Sequence, residues 1–162
     1  MKASNFYENN IVGVALKPGN VAAVAVDGET ISEPWKKGRQ ISFLLQAAAM
    51  TTNDALTITV QGLKRSDGTT WEALKDLNAN DLTFPTAKTA DTKALENGVL
   101  IGSLPMAKLD ADTYKAIRIS AVNSVAQNVV CSALYVISDL YAYPSGMVDD
   151  LIAEVAPYAG TA

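Results

Sequence analysis

Apolar and polar residues alternate with a period of two in several segments of the chain. The segment 55–63, ALTITVQGL, shows the pattern most clearly, with Thr57, Thr59 and Gln61 on its polar side. Successive side chains of a β-strand point to opposite faces of a sheet, so the pattern predicts a strand with one buried face. A second strand of this kind is predicted from residue 41. The apolar positions of the two strands are Ile41, Phe43, Leu45, Ala47, Leu56, Ile58 and Val60.

Further strands are predicted on both sides of this pair. Residues 114–122 alternate again, and the short apolar runs 21–26 and 99–101 are each followed by a glycine within two residues. Many short strands separated by turns, without intervening helices, are typical of an antiparallel sandwich, barrel or jelly roll. We therefore expect an all-β fold. A chain of 162 residues is the right size for one domain with one core.

Residues 129–143 differ from the other predicted strands because they are apolar on both sides. This indicates either a central strand covered on both faces or a strand at a subunit contact. Cys131, the single cysteine, lies in this run, where we expect it to be a small buried side chain rather than a nucleophile.

The stretch RSDGTTW, residues 65–71, predicts a tight turn between two strands. Asp67-Gly68 supplies the positive backbone dihedral angles that a short or bulged hairpin loop requires, so residues 55–77 are expected to form a hairpin. We expect Trp71 and Trp35 to anchor the core or an edge rather than to form a platform for sugars.

The two ends of the chain do not follow the strand pattern. Residues 1–20 are predicted to be an arm or a first strand, residues 21–144 the sandwich, and residues 145–162 a short C-terminal helix and tail. Apolar residues at helical spacing and two aspartates near the start predict this helix. The helix either covers its own sandwich or docks against another subunit. The predicted partner-binding residues of the two ends are Phe6, Tyr7, Ile11, Val12, Val148, Leu151, Ile152 and Val155.

Composition and charge exclude several functions. The net charge is −4 and cations are not clustered beyond residues 36–39, so we do not expect a nucleic-acid partner. No apolar stretch is long enough to span a bilayer and the N-terminus lacks the apolar core of a secretory signal, so we expect a soluble chain made in the cytoplasm. The chain has no histidine and no recognisable catalytic or metal motif. We expect no enzyme activity, cofactor or metal.

The order of these segments resembles that of the jelly-roll cement proteins, or head decoration proteins, of tailed bacteriophages. The likeness covers residues 20–144 and rests on QISFLLQAA, ALTITVQGL, RSDGTTWEAL, YKAIRISAV and VVCSALYVISDLYAYP. It implies a jelly roll that binds the phage major capsid protein on the outer surface of the virion, as a trimer or dimer, and stabilises contacts between capsid subunits. The alternative is a carbohydrate-binding or receptor-binding jelly roll, such as a head fibre or lectin-like domain. It needs an exposed aromatic shelf with polar groups beside it, for example among Trp35, Trp71, Tyr141 and Tyr143.

Overall fold

The structure is a computed structural model that describes residues 10–48, 56–81, 99–124 and 128–141. Most of these residues belong to β-strands. Two short 3₁₀ helices, Pro34–Lys36 and Met106–Lys108, are also present. The strands in chain order are β1 (Asn10–Val21), β2 (Val26–Asp27), β3 (Ile31–Ser32), β4 (Gly38–Ala47), β5 (Leu56–Lys64), β6 (Trp71–Ala73), β7 (Val99–Pro105), β8 (Tyr114–Asn123) and β9 (Val129–Leu140).

The strands form two antiparallel sheets. The first sheet has the order β1-β9-β4-β7, and the second has the order β2-β8-β5-β6 with β3 also paired to β8. The chain repeatedly crosses from one sheet to the other, because β1, β4, β7 and β9 belong to the first sheet and the remaining strands to the second. The all-β sandwich that the alternation predicts is therefore confirmed.

The inner sides of the two sheets form the hydrophobic core. All seven apolar positions predicted for β4 and β5 are at most 4% exposed, and the partly buried Trp35 packs against this core. In β8, the alternating residues Ile117, Ile119 and Ala121 are completely buried. Burial of an isoleucine side chain contributes about 1.5–3 kcal/mol relative to leaving it exposed, so the core is the main source of stability.

Strand β9 lies between β1 and β4, and a glycine on β1 helps to set its register. Gly13 lies opposite Tyr135, and a Cβ atom at Gly13 would approach Tyr135 Cζ to 2.5 Å. A side chain at this position would collide with the ring, so the glycine allows the tyrosine to lie across the edge strand. Both faces of β9 are largely apolar, so burial of apolar side chains alone would not prevent β9 from shifting by one residue along β1. The contact between Gly13 and Tyr135 favours the observed register.

The turn between β5 and β6 has the conformation that Asp67-Gly68 predicts. Gly68 has a φ of +69°, in the region that favours glycine. The Asp67 carboxylate accepts hydrogen bonds from the backbone N–H groups of Thr69 and Thr70, at 2.9 and 3.0 Å, and from the Thr70 hydroxyl. These hydrogen bonds to the charged form lower the pKa of Asp67 to about 2, with that from the Thr70 side chain contributing most.

The second strand of this hairpin is shorter than predicted, ending at Ala73 instead of reaching residue 77. The chain turns away because the Asp76 carboxylate accepts hydrogen bonds from the N–H groups of Asn78 and Asn80, which closes a small loop. Lys75 pairs with Asp81 across the base of that loop.

Several predictions about the ends of the chain lie outside the described residues. Residues 10–21 form β1, at one edge of the first sheet, whereas residues 1–9 are not described. The predicted helix in residues 145–162 and the last residues of the predicted strand 129–143 are not described either.

Replacement of Asp67 by asparagine should lower the urea midpoint of unfolding at about pH 6. Asparagine keeps an oxygen that can accept the two backbone hydrogen bonds, but it lacks the charge that strengthens them. A carboxylate with a lowered pKa stabilises the folded state above its ordinary pKa of 3.8, and this contribution is lost as the pH falls towards about 2. The difference between the wild-type protein and Asp67→Asn should therefore disappear over this pH range. A difference that is constant with pH would contradict the assigned role of the charge.

Candidate functional site

The outer side of the first sheet carries a continuous aliphatic surface. Leu44 of β4 lies opposite both Leu134 of β9 and Ile101 of β7, and Leu134 also lies opposite Val14 of β1. Directly opposed residues point to the same face, so the four side chains form one row across the sheet. We call this row, together with its aliphatic neighbours on the same side, the apolar face. The neighbours are Val12, Val99, Val130 and Val136.

Water reaches a large part of the apolar face. Leu134 is 47% exposed and Ile101 is 59% exposed, whereas Leu45, on the inner side of β4, is completely buried. A groove of about 320 Å³ lies along the row and is lined in part by Val14, Leu44 and Leu134. Scattered single apolar residues are common on protein surfaces, but contiguous exposed patches usually mark contact sites for other molecules.

The polar groups within the apolar face carry no charge. Ser42 Oγ and Ser103 Oγ form a hydrogen bond of 2.8 Å that joins β4 to β7 on this side. In β4, β7 and β9, no charged side chain occupies the outward positions aligned with residues 42, 44 and 46 of β4. Lys17 lies in the irregular stretch of β1 between Leu16 and Gly19 and forms a 2.8 Å ion pair with Glu29. The apolar face therefore suits contact with another uncharged surface.

The two predicted partner-binding residues within the described chain point to different sides of β1. Ile11 packs against the hydrophobic core, opposite Ile137. Val12 lies on the apolar face, opposite Val136. The other predicted partner-binding residues lie outside the described residues; they are Phe6, Tyr7, Val148, Leu151, Ile152 and Val155.

The segments that precede β1 and follow β9 are attached at the same end of the first sheet. Asn10, the first residue of β1, lies opposite Ser138 near the end of β9. Beyond β9, the Tyr141 N–H donates a hydrogen bond to the carbonyl oxygen of Lys37 at 3.1 Å, just before β4 begins. The structure thus brings the attachment points of the two predicted contact segments close together.

The outer side of the second sheet has a different chemistry, centred on Arg118 of β8. The Arg118 guanidinium lies 4.2 Å from the centre of the Trp71 ring. It also forms a 2.9 Å ion pair with Asp27 and a 2.8 Å hydrogen bond to the side-chain oxygen of Gln61. Asp27 in turn accepts a 2.8 Å hydrogen bond from Ser120. The charges are paired with each other, and the guanidinium covers one face of the tryptophan ring.

A tyrosine, a glutamate and a lysine join β5, β6 and β8. The Tyr114 hydroxyl donates a 2.9 Å hydrogen bond to Glu72, which also forms a 2.7 Å ion pair with Lys64. Burial of the ring, followed by the hydrogen bond to Glu72, raises the pKa of Tyr114 to about 12. Tyr114 therefore remains protonated at neutral pH and acts as a hydrogen-bond donor between strands.

The described residues offer few reactive groups. Burial raises the pKa of the Cys131 thiol to about 11, which leaves little of the reactive thiolate at neutral pH. Within the described ranges, no group of three or more histidine, cysteine, aspartate or glutamate residues is arranged to hold a metal ion. In the same ranges, no helix has both the length and the apolar character needed to cross a membrane.

The sequence patterns of the individual strands indicated the apolar face only indirectly. Leu44 interrupts the alternation of β4, and residues 129–143 are apolar on both sides. Each signal has a local explanation when a strand is considered alone. The row from Val14 to Ile101 exists only because the topology places four distant strands side by side.

Comparison with known proteins gives no matching family model and no match among curated proteins. Solved structures similar to this chain include the VP2 subviral particle of infectious bursal disease virus, with 15% identity and a TM-score of 0.48 over 83% of this chain. The match spans 33% of the VP2 chain.

Two further similarities involve proteins of other kinds. A chain from the disulfide-linked pili of Bacillus endospore appendages is 8% identical, with a TM-score of 0.41 over 86% of this chain and 96% of its own. A xylan-binding module is 12% identical, with a TM-score of 0.36 over 81% of this chain and 78% of its own. Similarities at this level do not indicate function.

Truncation of Leu134 should affect stability much less than truncation of Leu45. Leu134→Ala removes a half-exposed side chain and should cost less than about 1 kcal/mol of unfolding free energy in dilute protein. Leu45→Ala leaves a cavity in the core and should cost about 2–5 kcal/mol. Urea unfolding of both variants, monitored by circular dichroism, measures the difference. Equal costs would mean that the apolar face is covered within the isolated chain.

Proposed function

We propose that this chain is a non-enzymatic structural protein of a virion. It binds the outer surface of a phage capsid as a cement protein and stabilises contacts between major-capsid subunits. It is made in the host cytoplasm and uses no cofactor or metal. Its partners are the major capsid protein and further copies of itself.

The observation that carries this proposal is the apolar face of the first sheet. A row of aliphatic side chains that crosses four strands and remains exposed to water provides a large area for protein contact. It has few groups that could orient or activate a small substrate, because its polar groups are serine hydroxyls and a glutamine amide. Such a surface favours a role in assembly.

The strand order supports the jelly-roll part of the resemblance. A jelly roll distributes eight strands over two sheets through two Greek keys. Here the paths β1-β9-β4-β7 and β2-β8-β5-β6 each contain four strands, and the chain crosses repeatedly between them. β3 is an additional short strand beside β8.

The position of the chain ends favours the predicted contact segments as the means of capsid attachment. The segments before Asn10 and after Tyr141 leave the sandwich from the same end of the first sheet. Two segments that extend from one end can contact a capsid subunit together, so that each contact strengthens the other.

The carbohydrate-binding alternative receives less support from the described residues. Trp71 lies on the outer side of an edge strand, where a sugar could stack, but Arg118 already occupies one face of its ring. Trp35 packs against the core instead of forming a shelf with Trp71. A glycan would have to bind the other face of Trp71 or displace a guanidinium held by Asp27 and Gln61.

Co-sedimentation with expanded phage capsids tests the proposed function. The intact protein should pellet with capsids and saturate them. Deletion of residues 2–9 should weaken binding about tenfold, equivalent to about 1.4 kcal/mol of contact energy. The deletion must end before Asn10, because residues 10–21 pair with β9 and their removal would take an edge strand from the sandwich.

Circular dichroism of the deletion variant provides the control, since its spectrum should match that of the intact protein. Failure of the intact protein to bind capsids would refute the proposal. Equal binding by the intact and deleted proteins would show that residues 2–9 are not the attachment segment. Quenching of tryptophan fluorescence by oligosaccharides would instead favour the carbohydrate-binding alternative.

A further inference from the structure

We propose that the apolar face is a self-association surface through which two copies of this chain pack their first sheets face to face. The two-fold axis lies in the plane between the sheets and passes over the pair formed by Leu44 and Leu134. The inference rests on the proposed structural role and names the occupant of this face. The resulting dimer would present two identical capsid-binding ends, which is what bridging two capsid subunits requires.

The distribution of charge permits a second copy as the occupant. The chain carries a net charge of −4, so two copies repel each other over most approaches. The centre of the apolar face avoids this repulsion, because the outward positions aligned with residues 42, 44 and 46 carry no charge in β4, β7 and β9. Like charges opposed across an interface would oppose association, and these three strands bring none together.

The size of the face suits a weak dimer. Four strands spaced by about 4.8 Å are roughly 19 Å wide, and the seven residues of β9 from Val130 to Val136, at about 3.3 Å each, are roughly 23 Å long. Two such faces cover about 870 Å² in projection, close to the roughly 1,000 Å² expected of a biological interface. An area of this size is typical of weak, transient interfaces, so we expect a dimer that dissociates on dilution.

A sheet face is matched in shape by an identical face. Sheets that pack face to face lie about 10 Å apart with their side chains interdigitated. Leu44 and Leu134 occupy the two central strands, so a two-fold axis at this pair places them against the same two residues of the other copy. The outer residues Val14 and Ile101 would then lie at the two sides of the interface.

The predicted C-terminal helix would fit this face less well. A helix of about ten residues is roughly 15 Å long and 10 Å wide, so it would cover about a third of the area. Most of the aliphatic surface would remain exposed to water.

Sedimentation equilibrium of the purified full-length protein, without capsids, tests the inference. The wild-type protein should approach twice the 17.1 kDa mass of the chain at high concentration. Leu134→Glu should raise the dimer dissociation constant about 100-fold or more, because dimerisation would bury an unpaired carboxylate among the aliphatic side chains at the centre of the interface. Thr57→Glu, on the exposed outer side of the second sheet, is the matched control and should leave the dissociation constant unchanged.

Cross-linking tests the geometry. An introduced thiol in Leu134→Cys should lie within about 11 Å of its copy, given a sheet spacing of about 10 Å and a strand spacing of about 4.8 Å. A bismaleimide of that length should give a dimer on a denaturing gel, whereas Thr57→Cys should give a monomer. The native Cys131 will not compete, because it is buried and its pKa is raised to about 11.

Dimers that are lost in Leu134→Glu, kept in Thr57→Glu and cross-linked through Leu134→Cys would support the inference. A wild-type protein that stays monomeric, or a dimer that Leu134→Glu does not weaken, would overturn it. If the wild-type protein is monomeric and Leu134→Glu abolishes only capsid binding, the capsid is the occupant of the apolar face and the inference is wrong. If the wild-type protein is monomeric and Leu134→Glu lowers the free energy of unfolding, the C-terminal segment is the occupant and the inference is again wrong. Dimers that fail to bind capsids would keep the inference and refute the proposed cement function.

Discussion

The pairing of β9 with β1 on one side and β4 on the other is the constraint on which the first sheet depends. Side chains alternate between the two faces of a strand, so the register of β9 decides at once which residues enter the core and which face water. Ile137 enters the core and Leu134 does not. A shift by one residue would exchange the two sets. The fit of Tyr135 over Gly13 opposes such a shift, since other registers would place a side chain beneath the ring.

The two sheets divide the surface chemistry of the protein between them. The second sheet carries Arg118, whose charge is matched by Asp27 and whose guanidinium lies on Trp71. The first sheet keeps charge away from its centre and presents aliphatic side chains there. A sandwich with one polar outer side and one apolar outer side has a preferred direction for contact. This asymmetry, more than any single residue, is the basis of the proposed role in assembly.

Local pattern was sufficient to predict the inner side of the sandwich. The alternation in β4 and β5 predicted the buried residues because one face of each strand is apolar and the other is largely polar. Asp67-Gly68 predicted the turn between β5 and β6 because the backbone conformation of that turn depends on those two residues. The length of β6 was not predictable in the same way, since the loop around Asp76 competes with strand pairing.

Features that depend on long-range pairing were not visible in the sequence. Ile11 and Val12 are adjacent and similar, so only the pairing of β1 with β9 separates a core position from a surface position. The contact of Arg118 with Trp71 joins residues 47 positions apart. The apolar face has the same origin, because it combines residues from four strands that are distant in the chain.

The absence of charge from the centre of the apolar face has a thermodynamic consequence. Burial of aliphatic surface lowers the heat capacity, and near room temperature its driving force is mainly entropic. Contacts made through Leu44, Leu134 and their neighbours would therefore tighten on gentle warming and loosen in the cold. Added salt would not loosen them, since there is no central ion pair to screen. A particle held together in this way would keep its cohesion when moved into salty surroundings.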